Sequence, residues 1–291
     1  MSFSAPARVL PANALTAVRI PERTLPLIRD LVHERTGLHH DDGRLDVIAD
    51  RLAPLATARG FDSLLDYYYL LKYDRNADDE WVRAVDALSV KETYFWREFD
   101  QVRALSNAIL PRLVRLHRRP IRIWSVPCAT GEEPLSLAIA LTEAGWFGRA
   151  AIELHAADAS GAALARARLG RFGPRAFRQL PGELQERYFE HDVQAGEWVI
   201  RAAIHERVAS WTRINVMQPA ELQALQGADV VFCRNLFIYF QEGNVRRVVT
   251  DLASLMSSPG YLCVGAAESL LRLATPFDLQ DVEGAYVYVK S

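Results

Sequence analysis

Past Ile121 the chain settles into a pattern that few folds accommodate. Short apolar runs at Ile121–Val126, Ile152–Ala157, Val230–Cys233 and Tyr261–Val264 are separated by helical stretches near Glu132–Ala144, Ala162–Leu169 and Val245–Met256. Continuous apolar runs of strand length bury both faces, which a parallel sheet covered by helices on each side provides. The alternation therefore predicts an α/β, doubly wound domain. Phe277–Gln280 and Ala285–Val289, divided by Glu283-Gly284, predict an antiparallel hairpin closing the sheet. Gly196–Ile200 and Ala203–His205, inside the stretch from Pro181 to Ser210, break the alternation. They predict short extra strands, a small antiparallel β insertion at about residues 190–207.

The chain before Ile121 reads differently. Residues 1–20 carry two prolines and no clear period, and are expected to form a loose arm. From 21 to 90 apolar residues recur at helical spacing in four stripes: Leu25–Val32, Leu45–Ala56, Leu65–Leu71 and Trp81–Leu88. A small all-helical domain is expected there, with the Tyr67-Tyr68-Tyr69 run mostly in its core. Residues 91–120 are expected to be a linker and a connecting helix, Val102–His117. The arginines at the end of that helix, Arg112 to Arg119, suit a helix C-terminus.

Composition removes several classes. The balance of 34 basic and 36 acidic residues gives −2, against a general nucleic-acid binder. No apolar run approaches the ~20 residues of a membrane helix, so no membrane insertion is expected. Residues 1–8 show no leader pattern. Cys128, Cys233 and Cys263 sit in or beside apolar runs without CxxC spacing, which predicts buried thiols of a reducing compartment and a cytoplasmic location. No His and carboxylate grouping has ligand spacing, so no metal is expected.

Four segments carry chemistry. In Ile121–Pro134 a strand enters a loop of small residues, then a helix starting Glu132-Glu133. Ligands of open α/β sheets bind at such strand ends. The loop is neither GxGxxG nor a phosphate loop, which disfavours a nicotinamide-dependent oxidoreductase. Its two carboxylates suit a cationic or hydroxyl-bearing ligand, or simply complement the helix dipole. Asp158 ends the second strand, where an acid accepts from ribose hydroxyls or caps the next helix. Asp229–Phe240 is a buried strand ending in Arg234-Asn235, and a buried arginine requires a partner. Val90–Glu98 lies between the helical and α/β regions, where Phe95 and Trp96 are expected to pack between domains.

Together these segments resemble the CheR family of chemotaxis-receptor methyltransferases. Family members carry N-E-T-x-F-F-R, W-S-A-A-x-S-T-G-E-E-P, S-D-I-D and F-C-R-N-V-x-I-Y-F. Here Lys91–Arg97, Trp124–Pro134, Ala156–Asp158 and Phe232–Phe240 follow in the same order. The departures are Lys91 in place of asparagine, Trp96 in place of phenylalanine, Val126-Pro127-Cys128 in the loop, and Gly265-Ala266-Ala267-Glu268 in place of Gly-His-Ser-Glu. The helix around Arg51 is also less basic than in many relatives.

The resemblance implies a Rossmann-like class I methyltransferase domain at 121–291, with the helical N-terminal domain and the β insertion. It implies methyl transfer from S-adenosylmethionine to glutamate carboxylates of a methyl-accepting chemoreceptor's cytoplasmic domain, leaving S-adenosylhomocysteine. A receptor C-terminal tether on the β insertion is a further expectation. By the same resemblance Asp158 holds the ribose, Glu133 faces the cofactor, and Asn215 and Val216 contact adenine. Arg234 and Asn235 line the methionine side. Thr93 and Arg97 touch the cofactor carboxylate or guide the glutamate, and Tyr239 positions the substrate; Lys91, as a departure from the family's asparagine, is expected to bear on cofactor affinity by bringing a second cation near the sulfonium. The rival expectation is a non-catalytic S-adenosylmethionine-binding signalling module.

Overall fold

The computed structural model describes residues 18–21, 23–116 and 119–291. Most of the expected N-terminal arm, and the end of the connecting helix, lie outside the described residues. The chain divides into two compact units. One is helical and ends at Leu88, with Val32–His39 excluded from it; the other is α/β and comprises Val32–His39 with Ser89–Ser291.

The helical unit is built on α1 (Thr24–Thr36), α2 (Leu45–Ala58), α3 (Leu64–Tyr73) and α4 (Ala77–Leu88), the last turns of α1 belonging to the other unit. Ile28, Ile48, Leu52, Leu64, Tyr67 and Leu71 are buried, so the helical spacing of apolar residues does form the core. Ser63 caps α3 by accepting the Leu65 N–H at 3.2 Å. Asp78, Asp79 and Glu80 fill the first turn of α4, where the helix dipole favours negative charge. Glu80 is buried and accepts from the Tyr67 hydroxyl at 2.9 Å and from Arg59. Burial, helped by Glu80, pushes the Tyr67 hydroxyl well above its ordinary range. Tyr69 stays exposed, so the tyrosine run is core at Tyr67 and Tyr68 and rim at Tyr69.

In the α/β unit, α5 (Phe99–Ala104) passes through a π-helical turn at Leu105–Ile109 into α6 (Leu110–Leu116). Then follow β1 (Ile121–Ser125), α7 (Glu132–Glu143), β2 (Ile152–Asp158) and α8 (Gly161–Leu169). A small excursion contains β3 (Arg171–Phe172), α9 (Gly182–Tyr188), β4 (Phe189–Asp192), β5 (Glu197–Ile200) and α10 (Ala202–His205). The chain returns through β6 (Val208–Arg213), α11 (Pro219–Leu222), β7 (Ala228–Phe232), α12 (Glu242–Leu255) and β8 (Met256–Cys263) to the hairpin β9 (Asp278–Val282) and β10 (Ala285–Lys290).

The main sheet has seven strands in the order β6-β2-β1-β7-β8-β10-β9, all parallel except β10 against its neighbours. β7 is central and every residue in it is buried, as a continuous apolar run requires. Its one acid, Asp229, is satisfied by Arg119 at 2.6 and 2.9 Å and by the Arg122 N–H. Arg119 thus holds the sheet's central strand rather than only favouring a helix end. The order turns back between β1 and β7, which opens a crevice above their carboxyl ends.

Two expectations about the insertion change. β3, β5 and β4 form a separate antiparallel sheet, but Ala202–His205 is helical, as its two alanines favour. Val208–Ser210 belongs to β6, the outermost parallel strand, not to the insertion.

His155 on β2 stacks on Trp124 at 4.6 Å between ring centroids, and its Nδ1 lies 2.9 Å from Ser210 Oγ. Burial holds its pKa below the ordinary histidine range, against the pull of Glu153. A folded-state pKa below the unfolded value costs nothing at neutral pH. The cost appears as pH falls through the unfolded pKa, where only the unfolded chain binds the proton. Between about pH 7.5 and pH 5.5 the wild type is expected to lose more melting temperature than His155→Gln. Equal losses in a parallel melting series would remove His155 from the acid response.

Candidate functional site

A cleft of about 460 Å³, counted with its open mouth, lies at the carboxyl ends of β1, β2 and β7. Its lining is Val90, Glu92, Thr93 and Arg97 from the segment before α5, and Pro127, Cys128, Ala129 and Glu133 from the β1–α7 turn. Asp158, Arg234 and Asn235 complete it from the ends of β2 and β7.

The β1–α7 turn is tied down on three sides. The Val126 N–H donates to Phe232 O and the Cys128 N–H to Ala157 O, at 2.9 and 2.8 Å. The Ala129 N–H donates to Asp158 Oδ2 at 2.8 Å. Gly131 closes the turn at φ 99°, and a Cβ there would meet Ala167 Cβ at 3.0 Å and the Trp211 ring at 3.2 Å. Both the left-handed backbone and the close approach demand glycine. Four other residues around the cleft, Trp96, Glu98, Ala129 and Asn235, take positive φ without being glycine. Strain of this kind persists where surrounding structure over-determines it.

Asp158 is buried, and its second oxygen accepts the Ser160 N–H at 2.8 Å. The cap of α8 is Ser160, which accepts from Ala163 N–H at 3.0 Å, so Asp158 organises the turn instead of capping the helix. Glu133 accepts from Ser125 Oγ and from Arg234 Nε, each at 2.6 Å. Arg234 also donates to the carbonyls of Arg97 (2.8 Å) and Glu98 (3.0 Å), and lies 3.4 Å from Gln101 Oε1. Burial opposes its charge, and the carboxylates of Glu133 and Glu98 more than restore it. The arginine at the end of β7 is therefore both a buried ion pair and a wall of the cleft.

Glu268 was not visible as a site residue. It is buried, and its carboxylate accepts the N–H groups of Gly265 (2.6 Å), Asn235 (2.8 Å), Phe237 (2.6 Å) and Ile238 (3.2 Å). It thereby shapes the loop after β7. Glu98 works beside it, accepting from Asn235 Nδ2 and from the Ala266 N–H. The only signal for Glu268 was its place in the Gly265–Glu268 departure.

Phe95 and Trp96 are expected at a domain boundary; Phe95 belongs instead to the core of the α/β unit, and Trp96 packs against that core. Phe95 is fully buried within the α/β unit, with Phe172, Phe177 and Phe189 rings 4.9 to 5.3 Å away. Trp96 stacks on Phe99 at 4.3 Å. Phe95 thus anchors the segment that presents Thr93 and Arg97, and no linker separates it from the α/β unit.

Four expected site residues lie outside the cleft lining. Lys91 is exposed at the chain's surface. Asn215 donates to Arg35 O at 2.8 Å and accepts from the Met217 N–H at 3.0 Å, so its amide is already engaged at both ends. Val216 is buried beside it in the apolar core. Tyr239 is half-buried, and its carbonyl accepts the His39 N–H at 2.7 Å. The structure brings together Thr93, Arg97, Glu133, Asp158, Arg234 and Asn235.

A parallel sheet of this order, reversed by one antiparallel strand and opening a carboxylate-lined cleft at its switch point, defines a class I methyltransferase. The cleft's donor set fits S-adenosylmethionine: carboxylates for ribose hydroxyls or ammonium, and the Arg97 guanidinium for a carboxylate.

Residues 91–285 match the CheR methyltransferase, SAM binding domain, and residues 23–89 match the CheR methyltransferase, all-alpha domain. The chain is 32% identical over 267 residues to chemotaxis protein methyltransferase 2 of Vibrio cholerae serotype O1, spanning 90% of this chain and 91% of that protein. It is 29% identical over 269 residues to chemotaxis protein methyltransferase 1 of Pseudomonas aeruginosa, spanning 90% and 96%. It is 33% identical over 264 residues to the Probable biofilm formation methyltransferase WspC of Pseudomonas putida, spanning 89% of this chain but 60% of that longer protein. The chain belongs to the CheR family of S-adenosylmethionine-dependent methyltransferases. Among the described residues, no helix is long and apolar enough to cross a membrane.

Proposed function

We propose that the protein methylates glutamate side chains on the cytoplasmic domain of a methyl-accepting chemoreceptor, and that it works in the cytoplasm. The observation that supports this reading is that one cleft is lined by two carboxylates, Glu133 and Asp158, and by the partly exposed guanidinium of Arg97. When bound, S-adenosylmethionine supplies an electrophilic methyl that a carboxylate oxygen takes while the C–S electron pair stays on sulfur.

A glutamate carboxylate is already ionised at neutral pH, so no residue must remove a proton. The chain's task is to orient and to exclude water. Asp158 and Glu133 line the cleft, each held by donors from the protein, and in this reading they accept from the cofactor's hydroxyl or ammonium groups. Thr93 and Arg97 hold a carboxylate, and Arg234 and Asn235 line the methionine side. Cys128 lines the same cleft, and a thiolate there would compete for the methyl group. Burial first, then Asp158 and Glu133, push its pKa well above the thiol range, so it stays neutral. In this reading the edges of the β3–β5–β4 sheet take the receptor's C-terminal tether.

The test is methyl transfer from methyl-labelled S-adenosylmethionine to a recombinant chemoreceptor cytoplasmic fragment, read as base-labile ester. Arg97→Lys keeps charge but loses the planar fork, and is expected to slow single turnover by roughly tenfold; Arg97→Ala should slow it further. Normal melting with a reduced rate supports the orienting role. Cofactor binding without any transfer would instead leave a non-catalytic module.

A further inference from the structure

We propose that Arg178, laid over the ring of Tyr94, takes hold of the incoming substrate carboxylate, and that Glu92 is the internal carboxylate it releases in exchange. The inference rests on the glutamate-methylation reading. Arg178 Cζ lies 3.6 Å from the centroid of the Tyr94 ring, and Arg97 Cζ lies 5.5 Å from the same centroid. Arg178 Nη2 binds Glu92 Oε1 at 2.6 Å, and Arg97 Nη1 binds the Glu92 carbonyl at 3.1 Å. Glu92 lines the cleft. One arginine therefore fixes the Glu92 backbone while the other holds its side chain.

Three features make the side-chain contact exchangeable. The Arg178 and Glu92 side chains are 41% and 67% exposed, and an ion pair so open to water contributes little to stability. The guanidinium keeps its aim without Glu92, because the Tyr94 ring and the Arg175 carbonyl, 3.4 Å from Nη1, still hold it. Among the described residues Arg178 alone forms an ion pair with the Glu92 carboxylate, since Arg97 binds only the Glu92 carbonyl and pairs with Glu98 at 3.9 Å, so a single contact has to open. Glu92 has the same functional group as the proposed substrate, so it occupies Arg178 as the substrate would.

The experiment is steady-state methylation of the chemoreceptor cytoplasmic fragment by wild type, Arg178→Ala, Arg178→Lys and Glu92→Gln, with melting on the same preparations. Arg178→Ala is expected to raise KM for the fragment about tenfold, as loss of a partly exposed charge-assisted hydrogen bond does, with kcat and KM for S-adenosylmethionine held within about twofold. Arg178→Lys should recover only part of that loss, since an ammonium does not lie flat on the ring. Glu92→Gln should lower KM for the fragment, because the internal competitor is gone. An unchanged KM in Arg178→Ala, a raised KM in Glu92→Gln, or a fall in kcat that tracks lowered melting would each overturn the exchange. If wild type binds the cofactor but transfers nothing to the fragment, the functional reading fails and the exchange with it. If wild type transfers normally and Arg178→Ala matches it, only the exchange fails.

Discussion

Glu133→Ala is expected to destabilise the fold by about 3–5 kcal/mol, the cost of removing one partner from a buried ion pair. The Arg234 side chain is 3% exposed and Glu133 Oε2 sits 2.6 Å from its Nε, whereas Glu98 Oε2 is 3.9 Å away. Without Glu133 the guanidinium keeps three neutral acceptors and a distant carboxylate, too little for a charge this far from water. Ser125 Oγ also loses its acceptor. Glu133→Gln keeps an acceptor and the side chain's shape, and is expected to fall between wild type and alanine. Urea unfolding of the three proteins measures this. A loss under about 1 kcal/mol for Glu133→Ala would mean that the carbonyls of Arg97 and Glu98 suffice.

Glu268→Ala is expected to be comparably damaging and to abolish activity. One carboxylate accepts four backbone N–H groups, and the chain has no ready substitute for any of them. Each buried donor left unmet costs about 1–3 kcal/mol, and water entering the loop recovers part of that. Glutamine is a poor replacement, because its NH₂ would face donors. Hydrogen exchange at Asn235, Phe237 and Ile238 should accelerate in both variants. Unchanged protection there would show that the loop after β7 holds its shape without Glu268.

What could be read before the structure divides along physical lines. β7 is legible because a strand buried on both faces leaves a nearly continuous apolar run, and β1, β2 and the end of β8 because most of their residues are apolar and helical stretches separate them. β6 is not: it is the outermost parallel strand, and Ser210 and Thr212 make it resemble a loop. The cleft residues Thr93, Arg97, Glu133, Asp158, Arg234 and Asn235 follow from strand ends and motif order. Glu268 leaves only the faint signal of its place in the Gly265–Glu268 stretch, because it acts on backbone N–H groups, which carry no residue signature. Asn215 rests on the motif alone, since the partner of its amide, the Arg35 carbonyl, lies 180 residues away in the chain and leaves no local signal. Phe95 was assigned to a boundary because its cage of phenylalanines comes from the insertion, whose strands were only half recognised.

The split of α1 limits how such proteins recombine. Residues 32–39 precede most of the helical unit yet belong to the α/β unit, where Arg35 O meets Asn215, His39 N–H meets Tyr239 O, and Leu38 bridges to Phe240. A crossover at Leu88, where the sequence character changes, would import a foreign version of those eight residues along with the helices. A chimera built there inherits mismatched partners for the turn after β6 and the loop after β7. A clean exchange needs three junctions, one on either side of the shared segment and one at Leu88, so the helical unit behaves in heredity as a graft around a fixed stem rather than as a detachable cassette.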